Sequence, residues 1–311
     1  MSGRTWKGKT AVVCGGSSGL GRALAEQLVR EGIARMAILG RDRERLERAQ
    51  RELQQLDRTA IIEAAPVDLL DREGLRQWIG NFVAASQSAS GAGFVGEVAP
   101  DGLSAPGHSD KASSGNTFSS ERATSVDLVI QAVGKSDRGT VLSLDAARLD
   151  ALMAVNVQTS LNAVQLFSPH VAPGGAIVLI GSLASLLATR YLGGYAIAKH
   201  ALAALAQQAR RELVDQGVHV LLACPGPIQR PDAGSRYREL PHAGQVPPEA
   251  LRPGGGARLR GLEPNRLAKD ILRAAAKRRA LLIRPRKAAL LWSLSTVWPE
   301  VAEAILKRST A

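Results

Sequence analysis

Tyr195 and Lys199 stand four residues apart, and Ser182 precedes the tyrosine by thirteen. A spacing of four on a helix puts both side chains on one face. A phenol titrates near pH ~10, too high for easy proton exchange at neutral pH. A neighbouring ammonium, or a positive oxidised nicotinamide, favours the phenolate and lowers that value. Ser182 directly follows the apolar run Ala176 to Gly181. Its hydroxyl therefore sits at the carboxyl end of a strand, the edge along which open α/β sheets take ligands. There it can hydrogen-bond a substrate oxygen while the tyrosine gives or takes a proton. The chemistry these groups suit is hydride transfer between a nicotinamide and a carbonyl carbon, with Tyr195 as acid or base, Ser182 orienting the oxygen and Lys199 tuning the phenol.

A second pattern lies upstream. Cys14-Gly15-Gly16-Ser17-Ser18-Gly19-Leu20-Gly21 joins an apolar run to a helical pattern. Glycine lets a backbone turn sharply and approach a pyrophosphate, and a helix N-terminus adds free N–H groups and a favourable dipole. Gly15, Ser17, Ser18, Gly19, Leu20 and Gly21 are the candidate phosphate cradle. The end of the second apolar run distinguishes NAD from NADP. A carboxylate there would bind the ribose hydroxyls, a cation the 2′-phosphate. The chain has Leu39-Gly40-Arg41, with Asp42 and Glu44 following. The planar fork of Arg41 suits a phosphate, so NADP is the expected cofactor and NAD the alternative.

These groups need a scaffold. Ala11 to Cys14, Met36 to Leu39, Ala60 to Val67, Val126 to Val133, Ala176 to Ile180, Val218 to Ala223 and Leu281 to Ile283 read as buried strands. Between them lie helical patterns at Gly21 to Glu31, Glu44 to Leu56 (Leu46, Leu53 and Leu56 inward), Asp71 to Val83, Tyr195 to Asp215 and Pro264 to Lys277. Asp145 to Phe167 is one long helix or one broken near its middle. Strands alternating with helices predict an α/β, doubly wound, Rossmann-type parallel sheet of about seven strands with helices on both faces. Residues 1–287 form this domain and 288–311 a tail.

The alternation is interrupted once. Ser86 to Ser120 holds nine Ser and six Gly, too little apolar surface to offset its ordering entropy. It reads as a flexible insertion. Pro225 to Pro253 reads as a loop that shapes the substrate pocket.

At 45% hydrophobic residues the chain can bury a sizeable core, and with 4% aromatics that core must be aliphatic. Cys14 and Cys224 end apolar runs and read as buried free thiols of a reducing compartment. Met1 to Lys9 is polar, and no stretch reaches the ~18 apolar residues of a spanning helix. A cytoplasmic protein, peripheral at most, is expected. His108, His170, His200, His219 and His242 lack metal-ligand spacing. His200 follows Lys199 but points about 100° away, a core or supporting position.

The net charge is +12. No nucleic-acid-binding motif accompanies it, so nucleic acid is not an expected partner. From Arg252 to Lys287 twelve Lys or Arg face two acids, and an apolar run with Trp292 and Trp298 follows. That tail can lie in an anionic membrane interface, pack on the protein's own core, cover the cleft, or join a subunit interface. The first option makes a lipid-like carbonyl a natural substrate.

Together these motifs resemble the classical short-chain dehydrogenase/reductase family. The features that carry the resemblance are Gly15-x-x-x-Gly19-x-Gly21, Ser182, Tyr195-x-x-x-Lys199 and Pro225-Gly226. It covers almost everything except the Ser86 to Ser120 insertion and the last twenty or so residues. The tail is loosely similar to reductases of long-chain or sphingoid ketones. The resemblance implies that Asn156 is a fourth catalytic residue anchoring a proton-relay water behind the lysine, that Asp68 contacts adenine, and that the Ile228 backbone meets the nicotinamide carboxamide. It also implies a small-molecule carbonyl or alcohol substrate and a homo-oligomer. Two departures stand out. Cys14 replaces the usual Thr, and Gln131-Ala132-Val133-Gly134 replaces Asn-Asn-Ala-Gly, keeping only Gly134. The alternative function is a non-catalytic, nucleotide-sensing or membrane-associated scaffold with a degenerate site.

Overall fold

The computed structural model describes residues 6–90, 126–232, 237–238, 244, 246–252, 254 and 260–309. Seven strands form one sheet: β1 Thr10–Cys14, β2 Arg35–Gly40, β3 Ile61–Pro66, β4 Val126–Gln131, β5 Val171–Ile180, β6 His219–Pro225 and β7 Leu281–Arg284. Their order is β3-β2-β1-β4-β5-β6-β7, and every neighbouring pair is parallel. The sequence reads this way because parallel strands covered on both faces are near-continuous apolar runs. The chain moves outward from β1 in one direction through β3, then crosses back to β4. The crevice at that switch, outside the carboxyl ends of β1 and β4, is where open α/β sheets hold ligands.

Two apolar layers cover the sheet. One packs Ala11, Val13, Ile38 and Ile130 against α1 (Gly19–Arg30), α2 (Arg43–Leu56) and α7 (Pro264–Ala276) through Leu24, Leu28, Leu46, Leu53, Ile271 and Leu272. The other packs Val12, Cys14, Val129 and Ile177 against α3 (Arg72–Ser90), α5 (Thr159–Phe167) and α6 (Gly193–Leu213) through Leu75, Ile79, Phe82, Phe167 and Leu202. Helix starts are set locally. Asp42 accepts from Arg45 N at 3.0 Å and Asp145 from Arg148 N at 2.8 Å, each filling an orphan donor of a first turn.

Several expectations are corrected. Leu56 does not face inward: it is 46% exposed at the last turn of α2. Of the two readings of Asp145 to Phe167, the helix broken near its middle holds: it runs as α4 (Ala146–Met153), a wide π-type turn Ala154–Gln158, and α5. Strand β5 begins five residues before the expected Ala176, through Pro173 and Gly174. Residues 86–90, expected to open the insertion, continue α3. The rest of that insertion, 91–120, lies outside the described residues, as does much of Pro225 to Pro253. The tail forms two helices, α8 (Arg286–Val297) and α9 (Pro299–Ser309).

Candidate active site

The glycine turn forms a cradle. Gly15 has φ +81°, a conformation that carries a large penalty for any other residue, and its N–H donates to Leu39 O at 2.7 Å. A Cβ added to Gly21 would stand 2.1 Å from Gly15 O. Helix α1 therefore rests directly on the turn, and only glycine permits that approach. Ser18 is extended at the N-cap, its side chain makes no capping bond, and the first turn of α1 holds no acid. Leu20 and Gly21 are buried, Ser17 is half-buried, and Ser18 and Gly19 are exposed. A turn that a Cβ would fill, with a helix start that no side chain caps, fits a diphosphate. Cys14 is buried, and desolvation pushes its thiol to about 12, so it is inert. Main-chain bonds hold this end of β1, with Cys14 O accepting from Ala132 N at 3.0 Å.

At the end of β2, Arg41 projects into solvent. The neighbouring acid is already engaged: Asp42 caps α2 and pairs with Arg45 Nη2 at 3.3 Å. Asp68, after β3, is half-buried, and its Oδ1 accepts from Leu70 N at 2.9 Å. The substituted end of β4 keeps its hydrogen bonding by another route. Gln131 is buried, its Nε2 donates to Thr159 Oγ1 at 2.9 Å, and its Oε1 accepts from Val133 N at 3.3 Å.

The residues expected to handle the proton meet at the ends of β4 and β5. Asn156 sits on the wide turn between α4 and α5, which tips it inward. Its Nδ2 donates to Lys135 O at 2.9 Å and Leu152 O at 3.0 Å, and its Oδ1 accepts from Lys135 N at 3.3 Å. A Cβ on Gly134 would lie 2.8 Å from Asn156 Oδ1 and 3.3 Å from Lys199 Nζ. Gly134, Asn156 and Lys199 are thus in close contact. Lys199 is buried and donates to Ile180 O at 3.1 Å. Burial lowers its pKa to about 8, against a smaller upward pull from Cys224. The Cys224 thiol is itself pushed to about 12, first by burial.

Lys199 Nζ stands 5.9 Å from the centre of the Tyr195 ring. Ser182 is extended and caps one turn of 3-10 helix, Leu183–Ser185; its Oγ accepts from Ala184 N at 3.2 Å while Ser185 Oγ accepts from Ser182 N at 3.1 Å. That pair of bonds fixes the Ser182 turn, and the Ser182 hydroxyl lies close enough to the Tyr195 phenol to act on its pKa. Burial holds the phenol above its ordinary value; the Ser182 hydroxyl pulls it down, Tyr237 pushes it up, Arg138 pulls it down, and Cys224 pushes it up.

Ile228 lies in a parallel bridge with Leu262, whose bonds run from Gln229 N to Leu262 O at 2.9 Å and from Leu262 N to Pro227 O at 2.7 Å. His200 is not a core residue: it is exposed, with Nδ1 2.9 Å from Ala196 O.

Sequence reasoning missed Ser136, Arg138 and Tyr237. Arg138 is buried and donates to Ala250 O at 2.9 Å, Asp137 O at 2.7 Å and Arg252 O at 3.3 Å. Its guanidinium covers the Tyr237 ring at 3.8 Å, and Tyr237 Oη meets Ser136 Oγ at 2.8 Å. These contacts fasten part of the segment after β6 beside Tyr195. Asp137 is taken by Arg148, at 2.6 Å to Nη2. Among the described residues no group of three or more His, Cys, Asp or Glu is placed to hold a metal, and no helix is long and apolar enough to cross a membrane.

The fold and site define a Rossmann-type α/β protein with a glycine-turn cradle beside a Ser–Tyr–Lys cluster. The model of the short chain dehydrogenase family matches residues 9–88 and 110–239, and the chain belongs to that family. The match skips the centre of the Ser/Gly-rich stretch. Among curated relatives, an uncharacterized oxidoreductase of Staphylococcus saprophyticus is 22% identical over 228 residues, covering 73% of this chain and 81% of the relative. A sorbitol dehydrogenase of Cereibacter sphaeroides is 24% identical over 224 residues, covering 71% of each. A Burkholderia phymatum short chain dehydrogenase/reductase solved in complex with NAD matches with TM-score 0.69 at 21% identity, covering 96% of each chain. A Burkholderia cenocepacia short chain dehydrogenase in complex with NADP matches with TM-score 0.65 at 20% identity, covering 97% of this chain and 99% of the other. At these identities the solved structures share the fold.

Proposed function

We propose that this protein is an NADP(H)-dependent oxidoreductase that interconverts a carbonyl and an alcohol by hydride transfer, with Tyr195 as the acid/base. The observation that carries this reading is the convergence of Ser182, close enough to the Tyr195 phenol to pull its pKa down, with buried Lys199, whose Nζ stands 5.9 Å from the centre of the same ring. Ser182 is locked by its own turn, so its hydroxyl and the phenol converge on one point where a substrate oxygen can accept from both. The bound nicotinamide would supply or accept the hydride. The raised phenol pKa keeps Tyr195 protonated at neutral pH, the state that gives a proton to a nascent alkoxide. As the phenolate forms, the Lys199 ammonium beside the ring stabilises it. Asn156, packed against Lys199 across Gly134, holds the Lys135 backbone and supports the proton path behind the lysine.

Gly15, Ser17, Ser18, Gly19, Leu20 and Gly21 would hold the diphosphate. Gly134, Tyr195, Lys199 and the Ile228 backbone would border the nicotinamide end, and Asp68 the adenine. Arg41 supports NADP over NAD, because its guanidinium is exposed where the 2′-phosphate would lie while Asp42 is occupied as a helix cap. The substrate is a small carbonyl compound.

The tail supports a lipid-like substrate. Helices α8 and α9 leave Leu290, Val297, Trp298, Val301 and Ile305 exposed, beside the basic stretch that ends at Lys287. Such an arrangement suits peripheral contact with an anionic membrane; a homo-oligomer would bury the same side chains. Vesicle flotation and sizing of the full chain, against a chain ending at Lys287, separate the two. The function itself is tested by a ketone and aldehyde screen with NADPH and NADH side by side, followed by loss of reduced-nicotinamide absorbance. Oxidation of NADPH in preference to NADH supports the reading. Cofactor binding without turnover on any substrate favours a nucleotide-sensing scaffold.

A further inference from the structure

Residues 134–139, after β4, run along the start of α6. At one end, a Cβ on Gly134 would lie 3.3 Å from Lys199 Nζ. At the other, Gly139 bridges Leu192, and its N–H donates to Tyr191 O at 2.9 Å. Tyr195 falls between these two anchors in α6, so the run passes the turn that carries it. The run is held from behind. Asn156 binds the Lys135 N–H at 3.3 Å and its C=O at 2.9 Å, and Arg148 binds the Asp137 carboxylate at 2.6 Å. From this base Ser136 Oγ meets Tyr237 Oη at 2.8 Å. Arg138 fixes the Tyr237 ring: its guanidinium covers the ring at 3.8 Å, and its Nε donates to Ala250 O at 2.9 Å. Burial raises the Tyr195 pKa and Tyr237 adds to it, so the two phenols are within electrostatic reach of each other. Two hydroxyls carry two hydrogens, and their mutual bond uses one. The other has no acceptor among the described residues, although both side chains are half-buried. Either oxygen can donate within the pair, so the pair can give a hydrogen to a carbonyl or exchange one with a hydroxyl.

We infer that Ser136 and Tyr237 hold a second oxygen of the substrate, so that the site selects carbonyl compounds bearing a hydroxyl or another carbonyl close to the reacting carbon over simple ketones. The inference rests on the carbonyl–alcohol reading above and names the class of substrate. It divides the hydroxyls by task. Ser182 and Tyr195 take the reacting oxygen, whereas Ser136 and Tyr237 take the neighbouring one. Arg138 is a positioning residue that acts through the Tyr237 ring. A site built to hydrogen-bond a substrate oxygen rejects the analogue that lacks it, because its own polar groups are then left without a partner.

The test is steady-state reduction by the full chain with NADPH. Each ketone that turns over is compared with its counterpart carrying, or lacking, a hydroxyl α or β to the carbonyl; hydroxyacetone and its isostere butanone are the smallest pair. The parent should favour the oxygenated member by about tenfold or more in kcat/KM. Tyr237→Phe keeps the ring that Arg138 covers and loses only the hydroxyl, and should lower that preference by about threefold or more. Adding Ser136→Ala to it should abolish the preference. Damage to the fold or to Tyr195 slows both members of a pair alike, so the ratio isolates the second oxygen. Two results overturn the inference: a parent whose ratio stays within about twofold for every pair, or a double variant that keeps the parent's ratio. A parent that reduces no carbonyl at all overturns the oxidoreductase reading itself, a result distinct from those two.

Discussion

Replacing Gly21 with alanine puts a methyl group where the backbone of the glycine turn already lies. The added Cβ would stand 2.1 Å from Gly15 O and 2.8 Å from Gly15 C. Ordinary contacts begin near 3.4 Å, so α1 and the turn must part by about 1 Å. Neither side is a flexible side chain. Overpacking of this kind costs about 1–3 kcal/mol, which for a domain of this size lowers Tm by several degrees, at about 2–4 °C for each kcal/mol. The functional loss should be larger. A cradle displaced by about 1 Å loses its aligned N–H donors, and NADPH affinity should fall by about tenfold or more. Gly80→Ala is the matched control: it lies in α3 with nothing within 4 Å of its added Cβ. That change should stabilise the protein by about 0.5–1 kcal/mol through helix propensity and leave NADPH binding unchanged. The measurements are thermal unfolding and NADPH titration of both variants. A Gly21→Ala protein that binds NADPH like its parent would refute the assignment of this turn as the cradle.

Other outcomes follow from the same geometry. Gly134→Ala, whose Cβ would meet Asn156 Oδ1 at 2.8 Å and Lys199 Nζ at 3.3 Å, should cut kcat more than it weakens NADPH binding, read by steady-state kinetics beside titration. Lys199→Met should abolish turnover yet stabilise the fold at pH 7. Burial lowers the ammonium from 10.5 to about 8, and at ~1.4 kcal/mol per pH unit that costs the folded state on the order of 3 kcal/mol while lysine is charged when unfolded. The sign fixes the window: above about pH 8 the unfolded chain binds more protons at this site, so parent stability rises from pH 8 toward 10.5. Cys14 and Cys224, held near 12 against an ordinary 9.0, act oppositely as pH rises through 9, in parent and variant alike, so denaturant titrations between pH 8 and 9 should find the stability of the parent rising relative to that of Lys199→Met. Arg138→Met strips donors from Ala250 O, Asp137 O and Arg252 O and bares one face of Tyr237; it should raise KM for the carbonyl and lower stability by about 1–3 kcal/mol, with NADPH affinity unaltered.

Much of this site was legible because its residues are local in sequence. Tyr195 and Lys199 share one face of α6, and the strand preceding Ser182 is an unbroken apolar run that a buried parallel strand requires. The same rule located all seven strands. Leu56 was misplaced because its spacing continues the stripe of Leu46 and Leu53, while the end of α2 overhangs the sheet. The break at Ala154–Gln158 leaves no mark in composition, since Val155-Asn156-Val157 is compatible with either a helix or its widening. Gln131 shows a different limit: the change from asparagine looks disruptive in sequence, yet Thr159, 28 positions away, supplies a partner. Arg138 was invisible for the same reason. Its bond to Ala250 spans 112 positions, and an arginine in a loop after a strand reads as a surface residue until the fold wraps carbonyls and an aromatic ring around it.

The central claim is that the Tyr195 phenol is the proton donor and acceptor of a hydride-transfer site. The direct measurement is NADPH oxidation with a ketone found by screening, run on the parent and on Tyr195→Phe, with NADPH affinity measured on both. The Phe variant keeps the ring and loses only the hydroxyl, so turnover should vanish while NADPH binds nearly as before. Undiminished turnover by the Phe variant would contradict it.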